Sequence, residues 1–298
     1  MSGTKGHVRR ASFIVVVVGA LLFPTAANAQ FPGDNGELAF GRLSPNGPDG
    51  IATMPEPGEQ PTLISRSRGF DRDPSYTADG SRLLFVRRSD VWTMNADGSH
   101  VQRVTDSRAG EFCPSWSPDG TTIVFDRAGD LWTVVLGANV PHRLTHTKAR
   151  EYCPSWSPDG STIAFVLDGR HNVFDIALMD ADGTDRRRIT ADRDTQFGPD
   201  WSPDGTRIAY TNYDEFGFTS IATIGADGSD GLVVFDAGDR DVSTAVYSPD
   251  GLWIAFARDS RTGNSTDIWV VESDGGGAAR ATFGRSYDFM PGWQPVTS

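Results

Sequence analysis

The sequence predicts an all-β fold, a six-bladed β-propeller of four-stranded antiparallel blades. The first observation is a five-residue string, Trp-Ser-Pro-Asp-Gly, which occurs at 116–120, 156–160 and 201–205, with altered copies at 76–80 and 247–251. The second is the spacing of the copies, whose glycines stand 40 to 46 residues apart, the period of a propeller blade. The third is that the two ends of the chain carry complementary parts of one further unit.

Each repeat contains four predicted strands. The first strand ends in the string itself. Its Pro presets the φ angle of the turn into the second strand, and its Gly relieves the backbone strain of that turn. The second strand reads apolar, small, aromatic, as in Ile163-Ala164-Phe165, which is typical of a buried strand. An apolar third strand such as 176–179 leads to an Asp-Gly hairpin turn and a short fourth strand such as Arg188-Ile189-Thr190. The tryptophan of the string is large enough to pack between neighbouring blades.

The two ends of the chain are predicted to share one blade. The N-terminal part begins at the turn Asp34-Asn35-Gly36 and lacks the strand that precedes this turn elsewhere. The C-terminal part ends in Pro291-Gly292-Trp293-Gln294-Pro295, which has the pattern of that missing strand. Five continuous units and this shared one give six blades. Sharing a blade removes two sheet edges and ties down both termini.

Residues 1–29 are predicted to be a signal peptide. A basic start precedes a short apolar core at 14–22, and Ala27-Asn28-Ala29 is a small-x-small cleavage site. The core is shorter than the roughly 20 residues of a membrane span. Arg9-Arg10 also suits twin-arginine export, but Ser12 stands where that signal needs an apolar residue, so we favour the general secretory route. We expect a periplasmic or extracellular protein with one propeller domain over the remaining residues, 30–298.

The net charge of the chain limits the classes of partner that it is predicted to bind. Its formal net charge is −12 and its pI about 4.8, and three of its basic residues lie in the predicted signal peptide. An acidic surface repels nucleic acid and anionic lipid, so neither is predicted as a partner. Acidity also keeps an exported protein soluble. We expect a monomer that has no transmembrane segment.

These repeats resemble the WD-like repeats of the TolB propeller family. Its units read roughly Pro-x-Trp-Ser-Pro-Asp-Gly, Ile-Ala-Phe, Ile-Tyr-x-Met, Asp-Gly and Arg-x-Leu-Thr, and the resemblance covers about residues 34–297. It implies a six-bladed propeller exported across a membrane. TolB itself has an α/β domain before the propeller, for which this chain has no room. We therefore expect a propeller without that domain, and the role of TolB with the peptidoglycan-associated lipoprotein and the Tol system is not carried over.

A charged pattern recurs in the segments that join one blade to the next, at the predicted mouth of the central channel. A basic residue precedes an acid or amide by three positions, and an aromatic residue follows in four blades. The candidate binding residues are Arg68 and Asp71; Arg108, Glu111 and Phe112; Lys148, Glu151 and Tyr152; Arg193 and Phe197; and Arg285, Asp288 and Phe289. Two interpretations stay open: ion pairs that brace the loops, or a rim that binds a protein or peptide.

Cys113 and Cys153 occupy the same position in consecutive repeats. Export favours their oxidation. A disulfide requires Cα atoms within about 7 Å, which neighbouring inner strands reach only near the channel. A disulfide and two packed thiols both stay open. A metal site of the two cysteines with a histidine is not predicted, because no histidine lies beside them, and no other metal or cofactor is predicted.

Signals of catalysis are sparse. The chain lacks a Gly-x-Ser-x-Gly elbow, a phosphate-cradling loop and a zinc-protease helix. His142 and His146 flank a strand, but nothing nearby in the sequence completes a metal site. The leading hypothesis is an exported, non-catalytic propeller that binds a protein, peptide or cell-envelope component at the channel mouth. The alternatives are a polysaccharide lyase or hydrolase on the same frame and a structural envelope protein.

Overall fold

A computed structural model of the chain describes residues 33–67, 70–138, 140–169 and 173–296. The predicted signal peptide, residues 1–29, lies outside the described residues, as does Arg68. All regular elements in the described part are β-strands. Within it, no helix has the length and apolarity that crossing a membrane would require.

The described part of the chain contains twenty-four β-strands, each of which forms one strand of a blade. They are β1 (Asp34–Leu43), β2 (Gly50–Met54), β3 (Thr62–Leu63), β4 (Arg72–Tyr76), β5 (Arg82–Arg87), β6 (Asp90–Asn95), β7 (Gln102–Arg103), β8 (Glu111–Trp116), β9 (Thr122–Arg127), β10 (Asp130–Val135), β11 (His142–Arg143), β12 (Glu151–Trp156), β13 (Thr162–Asp168), β14 (Phe174–Asp180), β15 (Arg187–Arg188), β16 (Thr195–Trp201), β17 (Arg207–Tyr213), β18 (Thr219–Gly225), β19 (Leu232–Asp236), β20 (Val242–Tyr247), β21 (Trp253–Asp259), β22 (Thr266–Glu272), β23 (Ala278–Arg280) and β24 (Tyr287–Val296).

The strands form an all-β propeller of four-stranded blades. Four blades are separate antiparallel sheets of consecutive strands, β4–β7, β8–β11, β12–β15 and β16–β19. The other eight strands form one sheet, in which β20–β23 make one half and β24, β1, β2 and β3 make the other. A single parallel residue pair, Thr266 with Tyr287, joins the halves. The first strands contact one another in a closed cycle that runs β4, β8, β12, β16, β20, β24 and back to β4.

The two ends of the chain close the ring together. Strand β24 pairs antiparallel with β1, and the register places Leu38 opposite Trp293 and Ala39 opposite Gly292. The prediction that the C-terminal segment supplies the strand missing at the N-terminus is therefore confirmed. Because β1 and β24 are hydrogen-bonded to each other, both ends of the described chain are tied into one half-sheet.

The core lies between neighbouring sheets, as the repeat predicts. The aromatic residue of the second strand is fully buried, for example Phe125 and Phe165. The tryptophan of the string packs against the preceding blade: the indole N–H of Trp201 donates to the carbonyl of Ser155 at 3.2 Å, and Arg82 stacks over Trp116 at 5.1 Å. Each such buried side chain contributes about 1.5 to 3 kcal/mol.

Every innermost strand bends at the same place, a feature that sequence reasoning missed. The ladder to the second strand shifts register there, as between Phe112 and Ser115 of β8. One residue at each shift has a positive φ, which marks a β-bulge that redirects its side chain. These bulge residues are Asp73 (φ 58°), Cys113 (48°), Cys153 (44°), Gly198 (60°), Thr244 (58°) and Met290 (53°). Proline follows five of the six, a signal that was present in the sequence.

Candidate functional site at the channel mouth

The predicted rim acids are buried rather than exposed. Asp71, Glu111, Glu151 and Asp288 stand at or next to the start of innermost strands and are at most 1 % exposed. Three of them pair with an arginine of the adjacent second strand: Asp71 with Arg87 at 2.6 Å, Asp288 with Arg42 at 2.7 Å, and Glu111 with Arg127. The fourth, Glu151, pairs at 2.7 Å with Arg186.

The basic residues expected to partner these acids do not reach them. Arg108, Lys148, Arg193 and Arg285 are exposed, and in the described ranges none of the four forms a salt bridge. The reason is geometric. A residue three positions before the strand lies on the connecting loop, whereas a cross-strand arginine such as Arg127 stands opposite the acid in the ladder. If ion pairs brace these loops, Arg108, Lys148, Arg193 and Arg285 are not the residues that form them among the described residues.

A hydroxyl group connects two of the acids, Asp71 and Glu111, to the preceding sheet. The Ser65 hydroxyl accepts the Ile51 N–H at 2.8 Å and donates to Asp71 at 2.6 Å. Thr105 accepts the Val91 N–H at 2.9 Å and donates to Glu111. Such charge-assisted bonds are among the stronger hydrogen bonds in proteins. Asp71 and Glu111 thus belong to joints between neighbouring sheets and are not available to a partner.

The contacts of Asp71 also lower the pKa of its carboxyl group. Burial by itself would raise the pKa of Asp71, but hydrogen bonds from Arg87, Ser65 and Ser67 outweigh it and hold the pKa below its usual value. The carboxylate therefore stays ionised at neutral pH.

The predicted aromatic residues are half-buried at the mouth and lie in contact with further aromatic or basic groups. Phe289 stacks on Phe70 at 5.2 Å, where a Cβ on Gly41 would stand 2.5 Å from the Phe289 ring. Arg72 occupies the aromatic position of its own blade and stacks over Phe112 at 4.8 Å. A continuous chain of rings runs through Tyr152, Phe174, Phe197 and Tyr213, with centroids 6.0, 4.9 and 5.7 Å apart.

Exposed charge is unevenly distributed around the mouth. The loops at the mouth end of β4–β15 expose five basic residues, Arg66, Arg88, Arg108, Lys148 and Arg150. Among the described residues of those loops the exposed acid is Asp106, which is bonded to Arg103 at 2.7 Å. The mouth end of β16–β23 exposes the acids Asp192, Glu215, Asp239 and Asp241 together with the basic residues Arg193 and Arg261. We call the five basic residues the basic arc.

The opposite end of the ring is acidic. Its turns expose nine aspartates, which are Asp79, Asp97, Asp119, Asp159, Asp182, Asp204, Asp227, Asp250 and Asp274. Each turn aspartate accepts hydrogen bonds from neighbouring backbone or hydroxyl groups, as Asp119 does from Ser117 at 2.5 Å and from the N–H of Thr121 at 3.0 Å. These contacts are those of tight turns. The net negative charge is thus concentrated away from the basic arc.

A second group of polar residues lies buried along the innermost strands. Cys113 of β8 and Cys153 of β12 form a disulfide with their Cα atoms 4.8 Å apart. Asp73 accepts the Cys113 N–H at 3.4 Å, and Asp126 accepts the Cys153 N–H at 3.2 Å. Each acid thus holds the bulge of the following blade.

The two buried acids have unusual proton affinities. Burial raises the pKa of Asp73 to about 6, although the charge of Arg72 opposes the shift. Burial, with a further contribution from the charge of Asp73, raises the pKa of Asp126 to about 8. Sequence reasoning missed both acids. The available signal was Asp126 itself, which stands where the neighbouring repeats place Val86 and Val166.

The fold and its repeats define a β-propeller, and comparison with known proteins identifies the type. Residues 163–298 match the TolB beta propeller domain family. The structure of TolB from Acinetobacter baumannii superposes with a TM-score of 0.77 at 20% identity, over 89% of this chain and 68% of that one. A putative TolB from Agrobacterium tumefaciens gives 0.66 at 18% identity, over 87% and 99%. The chain is thus a β-propeller that resembles the propeller domain of TolB.

The likeness to curated proteins is local. Over 54 residues the chain is 44% identical to the Tol-Pal system protein TolB of Anaeromyxobacter dehalogenans, which is 18% of this chain and 12% of that protein. An oligogalacturonate lyase solved in complex with manganese shares the fold, with a TM-score of 0.58 at 18% identity over 86% of this chain and 77% of that one. Structural likeness at this level of identity shows the fold and leaves activity to the residues of the site.

Proposed function

We propose that the protein is an exported, non-catalytic six-bladed propeller that binds an acidic segment of a cell-envelope protein at its channel mouth. The observation that carries this is the basic arc, whose exposed cations lie beside half-buried aromatic rings on an otherwise acidic protein. Arginine and aromatic side chains are the residue types that dominate protein interfaces. Six blades follow from counting the two halves of the eight-stranded sheet as separate blades.

Only part of the predicted rim contributes to this surface. Arg108 and Lys148 belong to the basic arc, and Phe112 and Tyr152 lie on the same two connections. Arg193, Phe197, Arg285 and Phe289 are at the same end of the ring beyond the arc. The four acids of the predicted rim are buried in ion pairs with arginines instead.

The choice of partner rests on charge and on the relatives. Complementary charge accelerates association and selects partners, so an acidic segment suits the arc. The acidic end and the acidic side of the mouth repel the same segment, which fixes its orientation. The name of the curated relative places that protein in the Tol-Pal system, and the predicted signal peptide would bring this chain to the same compartment.

Charge reversal tests the proposal. The variant R88E/R108E/K148E should retain at least about tenfold less partner from an envelope extract than the unchanged protein, because three attractive charges become repulsive. R261E is the matched control, since Arg261 is an exposed mouth residue outside the arc, and it should bind normally. Raising the salt concentration should weaken binding of the unchanged protein.

Two results would contradict the proposal. One is equal retention of envelope proteins by the arc variant and by R261E. The other is turnover of a cell-wall polysaccharide by the purified protein with no protein retained, which would favour the lyase or hydrolase alternative.

A further inference from the structure

Because the blades are repeats, each buried polar residue of the channel wall can be compared with the residues at the same position in the other blades. At the bulge position three neighbouring blades carry Asp73, Cys113 and Cys153, whereas the others carry Gly198, Thr244 and Met290. Opposite Phe112 on the second strand stands Asp126, and the corresponding residues elsewhere are Val86, Val166, Thr211, Ala257 and Gly41. The fold is thus built five times without an acid at this position, so the packing of a blade does not require one.

These departures from the repeat converge in space. The two Sγ atoms and a carboxylate oxygen of Asp126 all lie within 4.8 Å of one another, and all three residues are buried. Asp73 is adjacent, since it accepts the Cys113 N–H. Its other oxygen, Oδ1, is buried and has no hydrogen-bond partner among the described residues. A buried carboxylate oxygen without a partner is costly, which indicates that it serves a group other than the ones described.

The donor set determines which ligand suits this place. Two thiolates and two carboxylates supply four donors, and both are ligand types that Zn²⁺ takes in tetrahedral sites. At a Zn–S distance of about 2.3 Å, tetrahedral geometry separates the two sulfurs by roughly 3.8 Å. We propose that Cys113, Cys153 and Asp126 hold a Zn²⁺ ion when the disulfide is reduced, with Asp73 as the fourth ligand.

The disulfide and the metal exclude each other because they use the same two sulfur atoms. Reduction by a phosphine transfers two electrons to the disulfide, and the phosphine takes up an oxygen atom from water and becomes a phosphine oxide. The two protons of that water remain on the cysteines as thiols. Each thiol then loses its proton to solvent when its sulfur binds the ion. The disulfide in the oxidised protein, and the bound ion in the reduced protein, each link the two blades that carry the cysteines at the channel wall.

Metal titration of the purified chain tests this. After anaerobic reduction with a water-soluble phosphine and removal of the reductant, the protein should bind about one equivalent of Zn²⁺. Co²⁺ in its place should show thiolate-to-cobalt charge-transfer absorption. The oxidised protein should bind neither ion at this site. D126N should weaken binding by about tenfold or more, and the charge-transfer band should persist in T211V, which alters the matching position of another blade.

Three results would count against the proposed zinc site. A reduced protein that keeps its far-ultraviolet circular dichroism spectrum and binds no Zn²⁺ overturns the proposal. Binding by D126N that equals binding by the unchanged protein also overturns it, because the ion would then lie elsewhere. If reduction unfolds the protein, stoichiometric Zn²⁺ should restore the spectrum, and failure to restore it counts against the site. Partner capture by the basic arc is measured separately on oxidised protein, so either result leaves the other intact.

Discussion

Thr105 and Glu111 connect two neighbouring blades through one hydroxyl group. Thr105 lies after β7, and Glu111 begins β8 of the next blade. The hydroxyl accepts the Val91 N–H at 2.9 Å and donates to the Glu111 carboxylate, and both residues are buried. The threonine that ends the repeat therefore has a structural role: Thr105 fastens the third strand of one blade to the first strand of the next.

Removing this hydroxyl should destabilise the fold. T105V preserves shape but leaves the Val91 N–H and one Glu111 oxygen buried without a partner, at a cost of about 2 to 4 kcal/mol in the free energy of unfolding. Urea denaturation followed by tryptophan fluorescence measures the loss. T62V, at an exposed position of β3, is the control and should change the free energy by less than about 0.5 kcal/mol. Equal effects of the two changes would contradict the joint.

Loss of the arginine that pairs with Glu111 should lower the free energy of unfolding more than loss of the Thr105 hydroxyl. R127M leaves Glu111 as a buried carboxylate without its ion-pair partner, and breaking a buried pair in this way costs about 3 to 5 kcal/mol. R143M is the matched control, because Arg143 pairs with Asp130 near the surface at 2.7 Å. Exposed pairs contribute about 0 to 1 kcal/mol. Urea midpoints of the two variants should therefore differ clearly, and similar midpoints would show that Glu111 finds another partner.

The repeat made most of the fold predictable. The spacing of Gly120 and Gly160 predicts the repeat unit, and the pattern around Trp293 predicts the pairing of β24 with β1. These features are local or periodic, and periodic patterns survive without knowledge of tertiary contacts. The positions of the strands followed directly from them.

The site was less predictable because it depends on contacts between strands. The sequence pattern marks Glu111 as a residue of the rim, but its partner Arg127 lies 16 residues away and becomes its neighbour only through the register of the β8–β9 ladder. Asp126 was missed because it looks like an ordinary polar residue at a strand end. Its significance appears only when its position is compared with Val86 and Val166 across blades.

Stability should depend on pH through Asp71. Its folded-state pKa lies below the ordinary value of an aspartate, so the unfolded chain binds the proton more readily than the folded chain. The stabilisation is fully present above about pH 5 and is lost as the pH falls through the folded-state pKa. The difference in free energy of unfolding between the unchanged protein and D71N should therefore shrink from pH 6 to pH 3, as urea titrations would show.

Arg87 provides the check on the cause. Since hydrogen bonding from Arg87 is the largest contribution that lowers the Asp71 pKa, R87M should reduce the same pH dependence while leaving the carboxyl in place. If R87M kept the full dependence on pH, the effect would have to come from other carboxylates.

Export should remove the predicted signal peptide. Expressed in a bacterial host with a periplasm, the chain should appear there with Gln30 as its first residue, because Ala27 and Ala29 form the cleavage site. Mass spectrometry of the intact periplasmic protein measures this. A29W should block cleavage and leave the protein with the membrane fraction. A periplasmic protein that retains residues 1–29 in full would contradict the prediction.

The disulfide should be present in exported protein and should stabilise it. Thiol titration of the denatured, unreduced protein should find no free thiol, and reduction should release two. The bridge closes a loop with a sequence separation of 40, for which the chain-entropy relation gives about 3 to 4 kcal/mol. C113S/C153S should lose roughly that amount in urea denaturation under oxidising conditions. Under reducing, metal-free conditions the gap between variant and unchanged protein should nearly close, because neither chain is then cross-linked. A gap that persists would assign the loss to packing of the sulfur atoms rather than to the bridge.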